Sequence, residues 1–264
     1  MSTDPQTLEE TLRSLPSPAS WPMPLPLTHL TKAKWFSTII TRTELEPQPD
    51  TFFEEQLLYF FYGGVFYRPA AMNMRTQIEL PVAFVFAPSI LSSFARYYPF
   101  DSGGMINGKF GSLTATLSSF DQLFRINGGD HSVPSRMVYH LYNTNDDYLR
   151  GKPNPDLRNK PYPLPQLFEF FSEDLSRENS DHRQCIIECQ ANSPVPLTRG
   201  LIWVGFPDYF TAEFLSLLKL LEPDVPQYWC YPSHAIFDPA QVAAKLEQKA
   251  FEQVIHRYIK PPGY

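Results

Sequence analysis

The sequence predicts an α+β fold, because short apolar strands and amphipathic helices both occur along its 264 residues. Apolar runs at 27–30, 80–87 and 201–206 are typical of buried strands. Apolar residues recur at helical spacing in three further segments, which are 32–41, 210–221 and 240–259. With 43% hydrophobic residues the chain can bury a sizeable core despite its 27 prolines.

The first 26 residues differ in composition from the rest. Leu8, Leu12 and Leu15 lie at helical spacing, and a run rich in proline follows them. We therefore predict an N-terminal helix and Pro-rich arm over 1–26 and a single domain over 27–264. Further along, 98–104 predicts a tight turn with Asp101 as a cap.

Net charge and cysteine usage narrow the class of protein. A formal charge of -6 argues against a surface that binds nucleic acid over its whole extent, and leaves room for a local basic groove. The odd set Cys185, Cys189 and Cys230 forms no disulfide framework, which favours a reducing compartment. The first twenty residues lack the basic start and apolar stretch of a secretory signal, and no apolar run reaches the roughly 18 residues that span a bilayer. We expect a cytoplasmic protein without a membrane partner.

The most unusual residue for its surroundings is Glu188, in the segment 183–190. If 184–190 is extended, Glu188 shares one face with Gln184 and Gln190, opposite the two cysteines of the segment. A carboxylate among apolar neighbours is costly to bury unless it has partners. Glu188 is therefore either a salt-bridged structural residue or part of a functional site.

Two other segments carry candidate site residues. His29 lies in a predicted strand beside the hydroxyls of Thr28 and Thr31, where a structural and a functional role are both open. The aromatic stretch 59–68 reads by default as core, but glycines within such a run mark a bulge, a bend or a close backbone approach. Tyr62 and Tyr67 would then flank an opening.

These pieces follow one another as His29-Leu30-Thr31, the aromatic strand with Tyr67 and the strand with Glu188. This order resembles the His-Tyr-Glu arrangement of the ADP-ribosyltransferase superfamily, to which the PARP enzymes belong. The local sequence is most similar to that of DarT-like toxins that modify nucleic acids. Two features depart from the DarT-like pattern. Gly63-Gly64 stands where an arginine is often found, and Glu188 follows Gln184 at a longer spacing.

The resemblance implies a fold of two packed, mostly antiparallel sheets flanked by helices, with NAD as co-substrate and no metal. It implies that Glu188 is catalytic, because a carboxylate bound to the ribose hydroxyl stabilises the positive charge that develops as nicotinamide leaves. His29 and Thr31 would bind the adenosine ribose, and Tyr67 and Tyr62 would stack on nicotinamide.

The resemblance also implies an acceptor and partners. The loop before the carboxylate strand sets the target in this superfamily, so His182, Arg183 and Gln184 would contact the substrate that receives ADP-ribose. The acceptor would be RNA or single-stranded DNA. A toxin or antiviral-defence enzyme of this kind would need an antitoxin, an ADP-ribose hydrolase or a chaperone as partner.

Three alternatives stay open on the sequence. One is a catalytically silent binding module, which Gly63-Gly64 favours, and another is a transferase with a protein acceptor. The third is a cysteine hydrolase using Cys230 and His234, which lack an evident orienting partner. The same two residues have no second pair of ligands, so the sequence predicts no zinc site.

Overall fold

The computed structural model describes residues 6–64, 76–108, 110, 117–172, 182–221, 226–233 and 239–259. The α-helices in chain order are α1 (Leu8–Ser14), α2 (Phe36–Arg42), α3 (Ser102–Ile106), α4 (Leu117–Phe124), α5 (Val133–Tyr142), α6 (Asn145–Leu149), α7 (Leu164–Ser172), α8 (Thr211–Leu220) and α9 (Pro239–Gln253). Within these described ranges, no helix is both long enough and apolar enough to cross a membrane.

The β-strands are β1 (Leu27–Lys32), β2 (Glu44–Leu45), β3 (Gln48–Asp50), β4 (Glu55–Tyr62), β5 (Pro81–Phe86), β6 (Arg96–Tyr98), β7 (Ile126–Asn127), β8 (Glu188–Ala191), β9 (Val195–Pro196), β10 (Leu201–Pro207) and β11 (Gln227–Tyr231). Residue contacts group the chain into two compact units. The first unit is Met1–Pro24 with Phe94–Cys189, and the second is Leu25–Ser93 with Gln190–Tyr264.

The second unit contains five neighbouring strands of a large mixed sheet, in the order β11-β10-β5-β1-β4, and β3 also pairs with β4. The pairs β10–β5, β5–β1 and β1–β4 are antiparallel, whereas β10 and β11 are parallel. A separate antiparallel pair, β2 with β9, forms a small second sheet. Strands with flanking helices confirm the predicted α+β class, with sheets of unequal size.

Helices cover both faces of this sheet, which explains why β5 is buried at all six positions. On one face, Phe36 of α2 stacks on Phe84 of β5 and Phe206 of β10. On the other face, Gly205 leaves room for Leu246 of α9, since a Cβ at Gly205 would collide with that side chain. The alternation of Gly205 and Phe206 thus sends two helices to opposite faces of β10.

The first unit contains the strands β6 and β7 and the start of β8, with β6 lying between β8 and β7. Its core is aromatic: Phe100 packs edge to face against Phe124 and Phe170. Helix α1 buries Leu8 and Leu12 in this unit and begins at a capping box formed by Thr7 and Glu10. The predicted N-terminal helix is confirmed, and the division at residue 26 stays a prediction.

The sequence also predicts the strands at β1, β5 and β10 and the helices at α2, α8 and α9, and all are present. The helical spacing of Ile90, Phe94 and Tyr97 is misleading, because a 3-10 helix over Pro88–Ser93 is followed by β6. The segment 143–165, whose Asn, Asp and Pro residues favour a loop, contains α6. Thr144 caps this helix by accepting a hydrogen bond from the Asp147 N–H at 3.1 Å.

Candidate functional site

A cleft of about 250 Å³ lies in the second unit, on the face of β1 that α2 covers. His29 and Thr31 both line it, because residues two apart on a strand point to the same face. Trp35 and Arg42 line it from the α2 side, and Glu46 contributes a carboxylate. The two residues of the His-x-Thr motif therefore share one opening.

The His29 ring is held in one orientation and in its neutral form. Its Nδ1 is 2.8 Å from the carbonyl oxygen of Tyr59. Since a carbonyl oxygen only accepts hydrogen bonds, Nδ1 carries the proton and Nε2 is left as an acceptor. Burial lowers the pKa of His29 to about 4, although the hydrogen bond to Tyr59 opposes this shift. At neutral pH His29 can therefore accept a hydrogen bond from a hydroxyl group.

Trp35 gives the cleft an exposed aromatic surface, with 46% of the residue accessible. The Lys34 ammonium lies 4.7 Å from the centre of the ring, at cation–π distance. A flat ligand ring can stack on such a surface. Nothing in the local sequence distinguishes Trp35 from a core residue, since its spacing to Phe36 and Ile39 suits a buried helix equally well.

The other aromatic candidates are differently placed. Tyr62 ends β4 and is fully buried, and its hydroxyl accepts a hydrogen bond from the Leu25 N–H at 2.9 Å. Gly63 follows with φ of 86°, a conformation that favours glycine, so the chain bends here, which is one of the three features that the Gly-Gly pair indicates. Tyr67 lies outside the described residues.

Glu188 lies in the first unit at the start of β8 and is 1% exposed. The Ser102 hydroxyl donates to Glu188 Oε1 at 2.6 Å, and the Ser102 N–H donates to Oε2 at 3.1 Å. Two charge-assisted hydrogen bonds offset part of the cost of burying the carboxylate. The sequence cannot indicate this partner, because 86 residues separate Ser102 from Glu188.

Arg183 and Asp101 form a buried ion pair, and Asp101 directly precedes Ser102, the hydrogen-bond partner of Glu188. Arg183 Nη1 is 3.0 Å from Asp101 Oδ2, and both side chains are less than a tenth exposed. The Asp101 N–H also donates to the Arg183 carbonyl at 3.1 Å. Asp101 Oδ1 accepts from the Gly104 N–H at 2.9 Å, so the predicted cap is confirmed.

The segment before Glu188 is not a strand, so the predicted facing of 184–190 is wrong for its first half. His182–Cys185 forms a 3-10 helix, and β8 begins only at Glu188. Gln184 is buried and donates to the Phe170 carbonyl, while the Tyr142 hydroxyl donates to the Cys185 carbonyl at 2.8 Å. These tertiary contacts override the alternation. The side chain of His182 lies outside the described residues.

The described residues give no support to the alternative of a cysteine hydrolase that uses Cys230 and His234. Burial and, to a smaller extent, the Glu188 charge raise the pKa of the Cys189 thiol. Cys230 is partly exposed, with its Sγ 3.5 Å from Thr211 Oγ1, and His234 lies outside the described residues. No group of three or more His, Cys, Asp or Glu side chains in the described ranges is placed to hold a metal ion.

Comparison with known proteins gives matches at the level of structure. No family model and no curated protein matches this chain. The solved structure of Thermus sp. 2.9 DarT in complex with NAD+ is similar to it with a TM-score of 0.41 and 9% identity, over 80% of this chain and 98% of that chain. The structure of the same DarT in complex with ADP-ribosylated ssDNA gives a TM-score of 0.41 and 9% identity, over 80% of this chain and 96% of that chain.

Proposed function

We propose that this chain is an NAD-dependent ADP-ribosyltransferase that transfers ADP-ribose to a nucleic acid and releases nicotinamide. The observation that carries the proposal is the cleft that His29, Thr31 and the exposed Trp35 line together. The neutral His29 ring offers Nε2 to a ribose hydroxyl, Thr31 adds a hydroxyl, and Trp35 offers a surface to a base.

The size of the cleft fits part of NAD. Pockets that enclose a whole small ligand measure roughly 300–1,000 Å³. A cleft of about 250 Å³ therefore suits one nucleoside and not the complete dinucleotide. The lining of this cleft offers His29 Nε2 as a hydrogen-bond acceptor, the hydroxyl of Thr31 and the aromatic face of Trp35. We therefore assign the cleft to the adenosine end of NAD.

When bound, NAD supplies an ADP-ribosyl group through cleavage of its bond to nicotinamide. Glu188 is our proposed catalytic residue, accepting a hydrogen bond from a ribose hydroxyl and placing negative charge near the reacting carbon. The two donors of Ser102 favour the ionised carboxylate that this role requires. Tyr67 remains the proposed nicotinamide-stacking residue. His182, Arg183 and Gln184 remain the proposed acceptor-contacting segment, but Arg183 and Gln184 are buried against Asp101 and the Phe170 carbonyl, so contact with an acceptor would require their side chains to leave these partners.

The type of enzyme and its partners belong to the same proposal. We place the chain with cytoplasmic toxin or antiviral-defence enzymes, with RNA or single-stranded DNA as acceptor, on the similarity of its motifs to DarT-like sequences. An enzyme that modifies nucleic acid in its own cell requires control, which an antitoxin, an ADP-ribose hydrolase or a chaperone would provide.

A catalytically silent binding module is the second candidate, and the burial of Glu188 favours it. The carboxylate is 1% exposed and already accepts two hydrogen bonds from Ser102. A protein that kept this carboxylate only to hold the start of α3 would bind a nucleotide in the His29 cleft without cleaving it.

The test is incubation of the protein with NAD labelled in its adenine ring, in separate pools of single-stranded DNA, RNA and protein. We expect the label in a nucleic-acid pool together with released nicotinamide. Label in the protein pool alone would contradict the acceptor assignment. NAD binding measured by calorimetry without release of nicotinamide in any pool would establish the silent module instead.

A further inference from the structure

We propose that Glu44 and Glu46 make the His29 cleft selective for NAD over NADP by offsetting the charge of Arg42. The inference rests on the proposed function and deepens it. NADP differs from NAD only by a phosphate on the 2′ oxygen of the adenosine ribose. The charged side chains that line an adenosine cleft therefore determine which of the two dinucleotides it accepts.

The fold brings the three charges together at the end of α2. Arg42 is the last residue of that helix, and Thr43 follows in the left-handed conformation with φ of 56°, which turns the chain sharply. Glu44 then pairs with Pro196 in the small sheet, so its backbone position is fixed. Arg42 Nη1 donates to Glu46 Oε2, and all three side chains line the cleft.

The resulting charge balance is negative. Glu46 raises the pKa of Arg42 through its hydrogen bond and its negative charge. The charge of Glu44 raises this pKa further, by a smaller amount. One guanidinium therefore faces two carboxylates in a cleft that also contains His29 in its neutral form. A 2′-phosphate would add up to two further negative charges to that cleft, whereas a 2′-hydroxyl adds none.

Hydrogen-bonding capacity leads to the same preference. An ionised carboxylate only accepts hydrogen bonds, so it can bind a ribose hydroxyl but not a deprotonated phosphate. Arg42 by itself would favour the opposite ligand, because guanidinium groups bind phosphate in a bidentate manner. Because Glu46 already holds the Arg42 guanidinium, the cleft should favour NAD rather than NADP. Glu46 and Glu44 are therefore specificity-determining residues.

The experiment is calorimetric titration of NAD and of NADP into the full chain and into three variants. We expect wild type to bind NAD at least about tenfold more tightly than NADP. In Glu44→Gln/Glu46→Gln the guanidinium keeps its charge and both carboxylates lose theirs, so NADP should bind more tightly than it does to wild type. The preference for NAD over NADP, measured as the ratio of their dissociation constants, should then fall to about threefold or less. In Glu46→Gln alone this preference should lie between those of wild type and the double variant.

The matched control is Glu252→Gln, which removes an exposed glutamate that pairs with Lys249 on α9, away from the cleft. It should keep the wild-type ratio. Equal binding of NAD and NADP by wild type, or tighter binding of NADP, would overturn the inference and leave the proposed function standing. Failure of NAD to bind wild type at all would overturn both.

Discussion

The neighbours of His29 set its tautomer and its charge. The Tyr59 carbonyl fixes the proton on Nδ1, and burial keeps the ring neutral with a pKa of about 4. His140 of α5 is buried next to the rings of Trp21 and Tyr139, and burial together with the charges of Arg136 and Lys160 lowers its pKa to about 4. Both histidines are therefore neutral in the folded protein at pH 6.

These two residues predict a loss of stability in mild acid. Because their pKa values are lower in the folded than in the unfolded chain, the unfolded chain binds more protons between about pH 6.5 and 4. The free energy of unfolding should fall as pH falls through that window, by about 1.4 kcal/mol per pH unit for each histidine. Urea unfolding at pH 7.5, 6.0 and 5.0 measures this.

His140→Phe keeps a ring beside Trp21 and removes one titrating group, so the slope of stability against pH should be smaller than in wild type. The exposed His256, replaced by Asn, is the control for substitution of a histidine. An unchanged slope in His140→Phe would show that His140 does not titrate as its burial requires.

Residue-level features were predictable from the sequence only where they are local. The shared facing of His29 and Thr31 follows from strand alternation, and the cap at Asp101 follows from its turn. The partner of Glu188 does not follow from any local pattern, because Ser102 reaches it through the tertiary fold.

At the scale of elements, the buried pair of Asp101 and Arg183 connects the start of α3 to the 3-10 helix before β8. Asp101→Asn keeps an oxygen to cap α3 but removes the negative charge opposite Arg183. Loss of one partner of a buried ion pair costs about 3–5 kcal/mol, and we expect the lower end of that range here. Urea unfolding at pH 7.5 measures the change.

The matched control is Asp146→Asn in the same unit, which removes a partner from the exposed pair between Arg150 and Asp146. An exposed pair contributes little, so this variant should unfold close to wild type. Equal stability of Asp101→Asn and wild type would contradict a structural role for the buried pair, and would favour the predicted role of Arg183 in contacting the acceptor.

Elements were predictable where the distribution of apolar residues follows burial. Continuous apolar runs predict the strands β1, β5 and β10, and apolar residues at helical spacing predict the helices α2, α8 and α9. The stretch 184–187 is buried at every position, so its alternation carries no information, and contacts from Tyr142 and Phe170 set its conformation. The cap of α6 at Thr144 was a local signal within a segment whose prolines favoured a loop.

At the scale of the whole molecule, the candidate site residues fall in both units. The second unit contains the cleft with His29, Thr31 and Trp35, and the first contains the buried carboxylate of Glu188. The order of motifs along the chain predicts both parts. The grouping of the N-terminal arm with 94–189 was not predictable, because it depends on contacts between residues more than a hundred positions apart, such as Thr11 with Tyr162.

Glu188 is the proposed catalytic residue for cleavage of NAD, and the most direct test of this role compares the rate of nicotinamide release at saturating NAD between wild type and Glu188→Gln. The amide keeps an acceptor for the Ser102 hydroxyl, so the variant should remain folded, which its melting temperature checks. We predict a fall of about 10²–10³-fold with NAD affinity within a few fold of wild type. Equal rates in the two proteins would contradict the assignment of Glu188, and no release by wild type would contradict the proposed activity itself.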